Sequence, residues 1–387
     1  MRWPWRLARG SVTPTVSRPV SGTGWTMRFT AWRQTLSDQV WVVLLVAALL
    51  VNGVIIYRQF LVRPVSPILP PPEAVPPAPE IPAGLFASPL NGAPVNNDVA
   101  VSRPILVSID NHTSARPQLG LDRADLIWEL MVEGGATRLL AVYQNTDEIQ
   151  IGPVRSARSY FLPLAAELGA VFAHSGGSVD ALAALKKSTI INDADEFTNG
   201  RAYFRVAEVA RPHNLHTSTR RLQQLVADKE WSNIATITSW PAANEPPEGG
   251  EVAGRLTINF AAVPAYRVQW RYDKEAKQYL RSQGGVVVSD RASRRQLSAS
   301  TVIVQFVNVT AAPPPAPNDA VIVDVVGEGE AWFFRDGQIY RGRWEKPTIE
   351  ARTVFRGPDK QPFNIVRGTV WVEMVPVAKR ADLTVTP

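Results

Sequence analysis

Between residues 39 and 57 the chain reads QVWVVLLVAALLVNGVIIY, nineteen positions without a charge, bounded by Asp38 and Arg58. At the helical rise this run spans roughly 28 Å, close to the thickness of a hydrocarbon core. Trp41 and Tyr57 stand at its ends, where interfacial aromatics belong. A cleaved signal peptide has a shorter apolar region followed by small residues, whereas NGVIIYRQF follows here. The pattern predicts an uncleaved transmembrane signal anchor over 39–57. Residues 1–38 form a basic arm on its cytoplasmic side and the rest lies outside; Met27 is an alternative start. From 58 to 100 the pattern dissolves. Eleven prolines fall between 64 and 94, which predicts an extended, disordered Pro-rich linker.

Periodic patterning returns at 101. RPILVSI (103–109), RLLAVYQ (138–144) and GAVFAH (169–174) are apolar runs of buried-strand length. SARSYFLPLAAELG (156–169), SVDALAALKK (178–187) and STRRLQQLVADKEW (218–231) are helical, with Pro163 marking a kink or early start and Ser178 and Ser218 as caps. Residues 101–235 therefore read as a mixed α/β domain and 236–254 as a hinge loop. Over 255–378, RLTINF, RVQWRYD, KQYLRS, STVIVQFVNV and GTVWVEMVP alternate as strands. FFRDGQIY adds an Asp-Gly hairpin, so this part reads as a β-rich antiparallel domain. The fold class is α+β or mixed.

Charge changes the picture only at the N-terminus. Six of the 41 basic residues and one of the 35 acidic ones lie in 1–38, so the body is nearly neutral and carries no field for nucleic acid. The chain has no cysteine, which excludes disulfides, thiolate metal sites and lipid attachment through an N-terminal Cys.

All four histidines fall between 112 and 216. His174 ends a strand ahead of SGGS and a helix, a corner that presents backbone N–H groups to an anion or is a plain tight turn. ARPHNLHTS (210–218) places His213 and His216 before a helix start, where neutral imidazole is favoured for a general base or a ligand. In DNH (110–112), Asp110 and His112 are ligands, or a base with its orienter, or an Asx-type turn. Glu129 and Glu133 of ELMVEGG share a face if the stretch is helical, and Arg155 and Arg158 of GPVRSAR, opening a helix, offer them cations or clamp an anion. No G-x-S-x-G elbow supports a serine hydrolase, and H-x-x-H in a loop is a weak zinc motif.

The segments PILVSIDNHTSARPQLGL, ADLIWELMVEGGATRLLAVY, IGPVRSARSYFLPLA, AHSGGS and RPHNLHTS, with VVGEGEAWFFRDGQIYRGRWEK and WVEMVP later, resemble the successive motifs of the YerB-like lipoprotein family, the two-part domain of unknown function 3048. The resemblance covers about 105–375. It implies an envelope protein with a mixed first part and a β-rich second part, and no established reaction. Members are typically anchored through a Cys, which this chain lacks. The second histidine of RPHNLHTS stands where the family often has Tyr, which shifts weight from His216 to His213. Asp110, Glu133 and His213 are thus the candidates for acid–base work, and Arg116, Arg155, Arg158, His174 and Asn214 for ligand binding, with no metal or cofactor implied. The expected partners are the lipid bilayer through 39–57 and a cell-wall glycan, peptide or envelope protein. The first functional reading is a binding or scaffold module; the alternative is an envelope hydrolase or transferase using a carboxylate/His pair with an Arg anion clamp.

Overall fold

The computed structural model describes residues 81–387 apart from 145–148, 315 and 318, together with Val43 upstream. The arm, the anchor over 39–57 and most of the linker lie outside the described residues. No helix among the described residues is long and apolar enough to cross a membrane. The linker expected over 58–100 gives way to packed structure before its predicted end. Phe86–Ala87 pairs with Pro94–Val95, Leu90 is fully buried, and Asn91 Nδ2 donates to Asp125 Oδ1 at 3.0 Å. One apolar side chain in a Pro-rich stretch is enough to dock it when a cavity waits for it.

The elements that position the site are, in chain order, β1 Ile105–Asp110, β2 Leu126–Met131, β3 Thr137–Tyr143, α1 Leu162–Ala166, β4 Val171–His174, α2 Val179–Leu185, β5 Asn192–Asp195, β6 Tyr203–Arg205, β7 Leu215–Ser218 and α3 Thr219–Asp228. They are followed by β8 Arg255–Asn259, β9 Arg267–Asp273, β10 Gln278–Gln283, β11 Thr301–Val307, β12 Gly327–Arg335, β13 Gln338–Lys346 and β14 Val370–Pro376. One eleven-stranded sheet runs in the order β13-β12-β11-β14-β2-β3-β1-β4-β5, with the short strands Glu251–Val252 and Val354–Arg356 on β13. The parallel pairings β11–β14, β14–β2, β1–β4 and β4–β5, with β2 and β1 flanking antiparallel β3, make six strands run the same way. The later half is therefore not purely antiparallel: β14 inserts beside β2 and joins the first part of the chain to the second through a shared sheet.

Both faces of this sheet are covered, and the strands read accordingly. Every residue of β1, β3, β11 and β14 is buried, the near-continuous apolar pattern of a doubly covered sheet. One face carries α1 and α2 through Phe161, Leu164, Ala181 and Leu185. The other carries α3 through Leu222, Leu225 and Val226, and the sheet of β8, β9 and β10 through Leu256, Ile258, Val268 and Trp270. Strand β9, with one face in water, alternates exposed and buried side chains. The predicted hairpin is present: Asp336 and Gly337, both at positive φ, join β12 to β13.

The two parts of the chain are also tied by buried charge. Arg281 of β10 donates to Glu129 of β2, and through Nη1 to Glu373 Oε1 of β14 at 2.9 Å; all three side chains are at most 1% exposed. Trp270 Nε1 donates to the same Glu373 oxygen at 2.8 Å, and the guanidinium lies over the rings of Trp371 and Trp270. Burial and the neighbouring Glu129 push the Glu373 carboxyl up to about 8, against the pull of Arg281. One guanidinium does not compensate two dry carboxylates, so one of them keeps its proton. On the other face Glu167 holds Lys346 at 2.9 Å together with Arg352, again across the two parts.

Replacing Arg281 with Met leaves Glu129 without its cation and should cost about 3–5 kcal/mol in urea unfolding. A carboxyl that holds its proton more tightly in the folded chain stabilises the fold at low pH, and that contribution is lost as pH rises through the folded pKa. Wild-type stability should thus decline between about pH 5 and 8, and decline less in Glu373→Gln, as read from urea midpoints across that range.

Candidate functional site

The carboxyl ends of the six co-directional strands lie along one edge of the central sheet, which is where open α/β sheets place their ligands. At that edge β1 ends in Asp110 and β2 runs into the turn Glu133–Gly135, whose Gly134 and Gly135 both take positive φ. Only residues without a Cβ adopt two such conformations in succession at no steric cost, and the turn brings Glu133 back over the sheet edge. The segment 152–158 runs beside β1: Asp110 N–H donates to Pro153 O, and Arg155 N–H to Ser108 O, each at 2.8 Å. Segment 206–214, with a cis Arg211–Pro212 peptide, delivers His213.

Asp110 is the hub. Its Oδ1 accepts the His112 N–H at 2.9 Å, the Asx-type turn; its Oδ2 accepts Arg155 Nε and lies opposite His213 Nδ1, both at 2.7 Å. Burial raises the Asp110 carboxyl, but Arg138, the His112 amide and Arg155 together outweigh it and hold it below the ordinary range. It is therefore an acceptor, and His213 donates to it through Nδ1–H. A nitrogen that donates to Asp110 has no lone pair for Arg155, whose Nη2 stands 3.1 Å away. That N–H is left with a donor to spend. The His112 ring stacks on His213 at 5.0 Å and 12°, and its Nδ1 accepts from Ser114 N–H at 3.2 Å.

Arg158 grips Glu133 with both arms, Nη2 to Oε2 at 2.8 Å and Nε to Oε1. Burial raises the Glu133 carboxyl, yet its bonds to Arg158 bring it net below the usual range. Arg138 stands between the two pairs. It is directly opposite Asp110 in the β1–β3 register, donates to Ser156 O at 3.1 Å, and keeps a buried Nε without a partner. Burial, aided by Arg158 and Arg155, lowers it to about 10 against the pull of Asp110 and Glu133, so it stays charged near neutral pH. Three guanidinium groups thus face two carboxylates around one imidazole. Side-chain exposure of 24% for Arg155, 18% for Arg158 and 15% for His213 keeps the cluster within reach of solvent.

Of the residues singled out from the sequence, Asp110, Glu133, Arg155, Arg158 and His213 converge. The other three are spent elsewhere. His174 is fully buried with Nδ1 at 2.8 Å from Gly176 O and Nε2 at 2.8 Å from Asp193 Oδ1. Asn214 bridges Val206 O and Arg205. Arg116 spans Asn111 and Ala265 O and lies over Tyr266, a clasp between the two parts of the chain. The SGGS corner is a tight turn: Ser175 N–H goes to Arg155 O, Gly176 N–H to Asp195 Oδ1 and Ser178 N–H to Ala157 O. Glu129 and Glu133 do not share a helix face, because LIWELM is a strand and sends Glu129 to the opposite interior. His213 and His216 do not share the helix start: β7 separates His213 from it, while His216, within β7 and two residues before the Ser218 cap, is buried against Gly152, its pKa lowered by that burial. Ser218 does cap α3, accepting Arg221 N–H at 3.2 Å.

Arg138 was missed because it heads an apolar run, and only the strand register puts it opposite Asp110. Among the described residues no three His, Asp or Glu side chains gather as a metal set. Beside the His213–Asp110 pair, the third side is taken by Arg155, which repels a cation.

The profile of the N-terminal domain of the protein of unknown function DUF3048 matches residues 90–232, and that of its C-terminal domain matches 256–372. The chain belongs to the DUF3048 family. Both of its parts are present in order, and the segment expected as a hinge loop, 236–254, is docked instead: Trp240 is buried and Glu251–Val252 pairs with β13. A relative in this family, "Putative lipoprotein YerB" of Bacillus subtilis (strain 168), is 26% identical over 303 residues, covering 77% of this chain and 88% of that protein. The crystal structure of the B. subtilis YerB protein superposes with a TM-score of 0.70 at 25% identity, covering 78% of this chain and all of that one. The mixed, strand-rich DUF3048 architecture is thereby shared with a solved structure.

Replacing Asp110 with Asn removes the counter-charge of buried Arg138 and should cost about 3 kcal/mol at neutral pH by chemical denaturation. Asp110 has a lowered folded pKa, so its contribution exists above the unfolded value and is lost as pH falls through the folded one. The gap between wild type and variant should therefore close as the pH falls below the ordinary carboxylate range.

Proposed function

We propose that this DUF3048 chain is a membrane-anchored, extracytoplasmic envelope protein whose Asp110–Arg155–His213 cluster binds a carboxylate-bearing component of cell-wall glycan or peptide. One observation carries the binding reading: Arg155 keeps an unspent N–H beside His213 while buried Arg138 adds a second cation with an unpartnered Nε. Convergent guanidinium donors at the carboxyl ends of parallel strands match a planar carboxylate in shape and charge. Location rests on the apolar run 39–57 with its Pro-rich spacer, and on the relative being named as a lipoprotein. On this reading the apolar run 39–57 does the anchoring, as the chain has no cysteine to carry a lipid.

A second reading is favoured by one contact. Asp110 at 2.7 Å from His213 Nδ1 orients the ring and leaves Nε2 as a base, the arrangement used in hydrolytic or transfer chemistry.

Calorimetric titration of the full chain in detergent with muropeptides bearing free carboxylates should show saturable binding, weakened about tenfold or more by Arg155→Ala, a loss of roughly 1.4 kcal/mol. Binding retained in His213→Ala with turnover abolished would identify the enzyme; binding without turnover in wild type identifies the binder. For location, deletion of 39–57 should move the protein from the membrane fraction to the soluble one.

A further inference from the structure

The loop joining β8 to β9, residues 260–266, belongs to the second half of the chain yet meets the Asp110 cluster at both of its ends. At one end the turn that carries Glu133 rests on it: a Cβ on Gly135 would stand 3.3 Å from the Ala261 Cβ. At the other end Arg116 Nη1 donates to Ala265 O at 2.8 Å, while its Nε and Nη2 donate to Asn111, the residue after Asp110, at 3.1 and 2.8 Å. Between these two fixed points the tip 262–264 is exposed. The turn after β10 stands beside it, with Gly284 N–H donating to Arg267 O at 2.9 Å. Val263, Val286 and Val287 are each more than half exposed. An uncharged apolar lip thus borders a cluster of guanidinium and carboxylate groups.

Tyr266 adds one polar group to this wall. The residue is buried, and the Arg116 guanidinium lies over its ring, Cζ to centroid 5.3 Å. Its hydroxyl nevertheless makes no hydrogen bond among the described residues and is not sealed from solvent. Burial raises the phenol pKa, and the charges acting on its oxygen are those of Arg116, Asp110 and Arg138. It is therefore a neutral hydroxyl with a donor to spend, at the edge of the cluster. We infer that the Asp110 site takes the free carboxyl end of a peptide with small apolar side chains: Arg155 meets the carboxylate, the Tyr266 hydroxyl donates to a peptide carbonyl, and the lip covers the side chains. This rests on reading the cluster as a carboxylate site, and narrows glycan or peptide to peptide. A sugar ring carries hydroxyls around its rim and would leave some of them unpaired against valine and proline. Alanine-like side chains lose only water there.

The test is calorimetry of the full chain in neutral detergent with acetyl-trialanine, as the L and D isomers, beside its C-terminal amide and N-acetylmuramic acid, a carboxylate borne on a sugar. One free-acid isomer at least should bind saturably, and about tenfold more tightly than the amide or the sugar acid. Arg155→Ala should erase the preference for acid over amide. Tyr266→Phe keeps the ring under Arg116 and removes only the hydroxyl; it should weaken the peptide about fivefold and leave N-acetylmuramic acid unchanged. Val263→Ser/Val286→Ser should likewise weaken the peptide alone. Melting temperatures equal to wild type verify the fold of both variants. If the sugar acid binds as tightly as the peptide and Arg155→Ala weakens both, the peptide assignment is overturned and the carboxylate site stands. It is also overturned if Tyr266→Phe or the lip variant binds the peptide as wild type does, or if the amide binds as well as the acid. Absence of binding to every carboxylate, muropeptides included, overturns the site and the peptide together.

Discussion

The pairing of Arg281 with Glu129 and Glu373 is the interaction on which the architecture turns. The three residues come from β10, β2 and β14, strands far apart in sequence, and they meet in a dry space between two sheets. An unpaired charge there costs several kcal/mol, so each carboxylate-bearing strand is tolerated only in the register that reaches the guanidinium. Apolar strands buried on both faces slide easily past one another in energetic terms, because Val, Ile and Leu are nearly interchangeable along them. A fixed charge set removes that freedom. With β14 locked beside β2, the central sheet is continuous from β13 to β5, and the carboxyl ends of its parallel strands form one edge.

The candidate site is the consequence at that edge. Asp110 and Glu133 project where strands stop, and the arginines that meet them come from an adjoining extended segment and from the neighbouring strand β3. The two polar clusters divide the labour by face. On one side the Arg281 guanidinium that holds Glu129 and Glu373 lies over Trp270 and Trp371; on the other Arg155 and His213 keep partial exposure. Similar chemistry thus yields a staple in one place and an accessible site in the other, and burial alone separates them.

Much of the fold was legible in the chain. The doubly buried strands appear as unbroken apolar runs, the Asp336–Gly337 turn announces its hairpin, and Ser218 marks the start of α3. Periodicity failed where local pattern is ambiguous. LIWELM carries a glutamate amid apolar residues and suits either a helix or a strand, and only its partner β14 decides between them. Likewise, DNH, EGG, VRSAR and PHN could be picked out as chemistry-bearing, but not sorted. His174 and Asn214 sit in equally suggestive motifs and turn out to hold the backbone in place.

By itself the sequence determined the strand-rich character, the near-neutral body and the absence of thiol chemistry. Each of these follows from composition or from patterns spanning a few residues. The tertiary structure decided what depends on distance: the insertion of β14 between β11 and β2, the opposition of Arg138 to Asp110, and the separation of Glu129 from Glu133. Register and burial are set by contacts between segments up to some hundreds of residues apart, and nothing in a local window records which charges will find each other once water has been excluded.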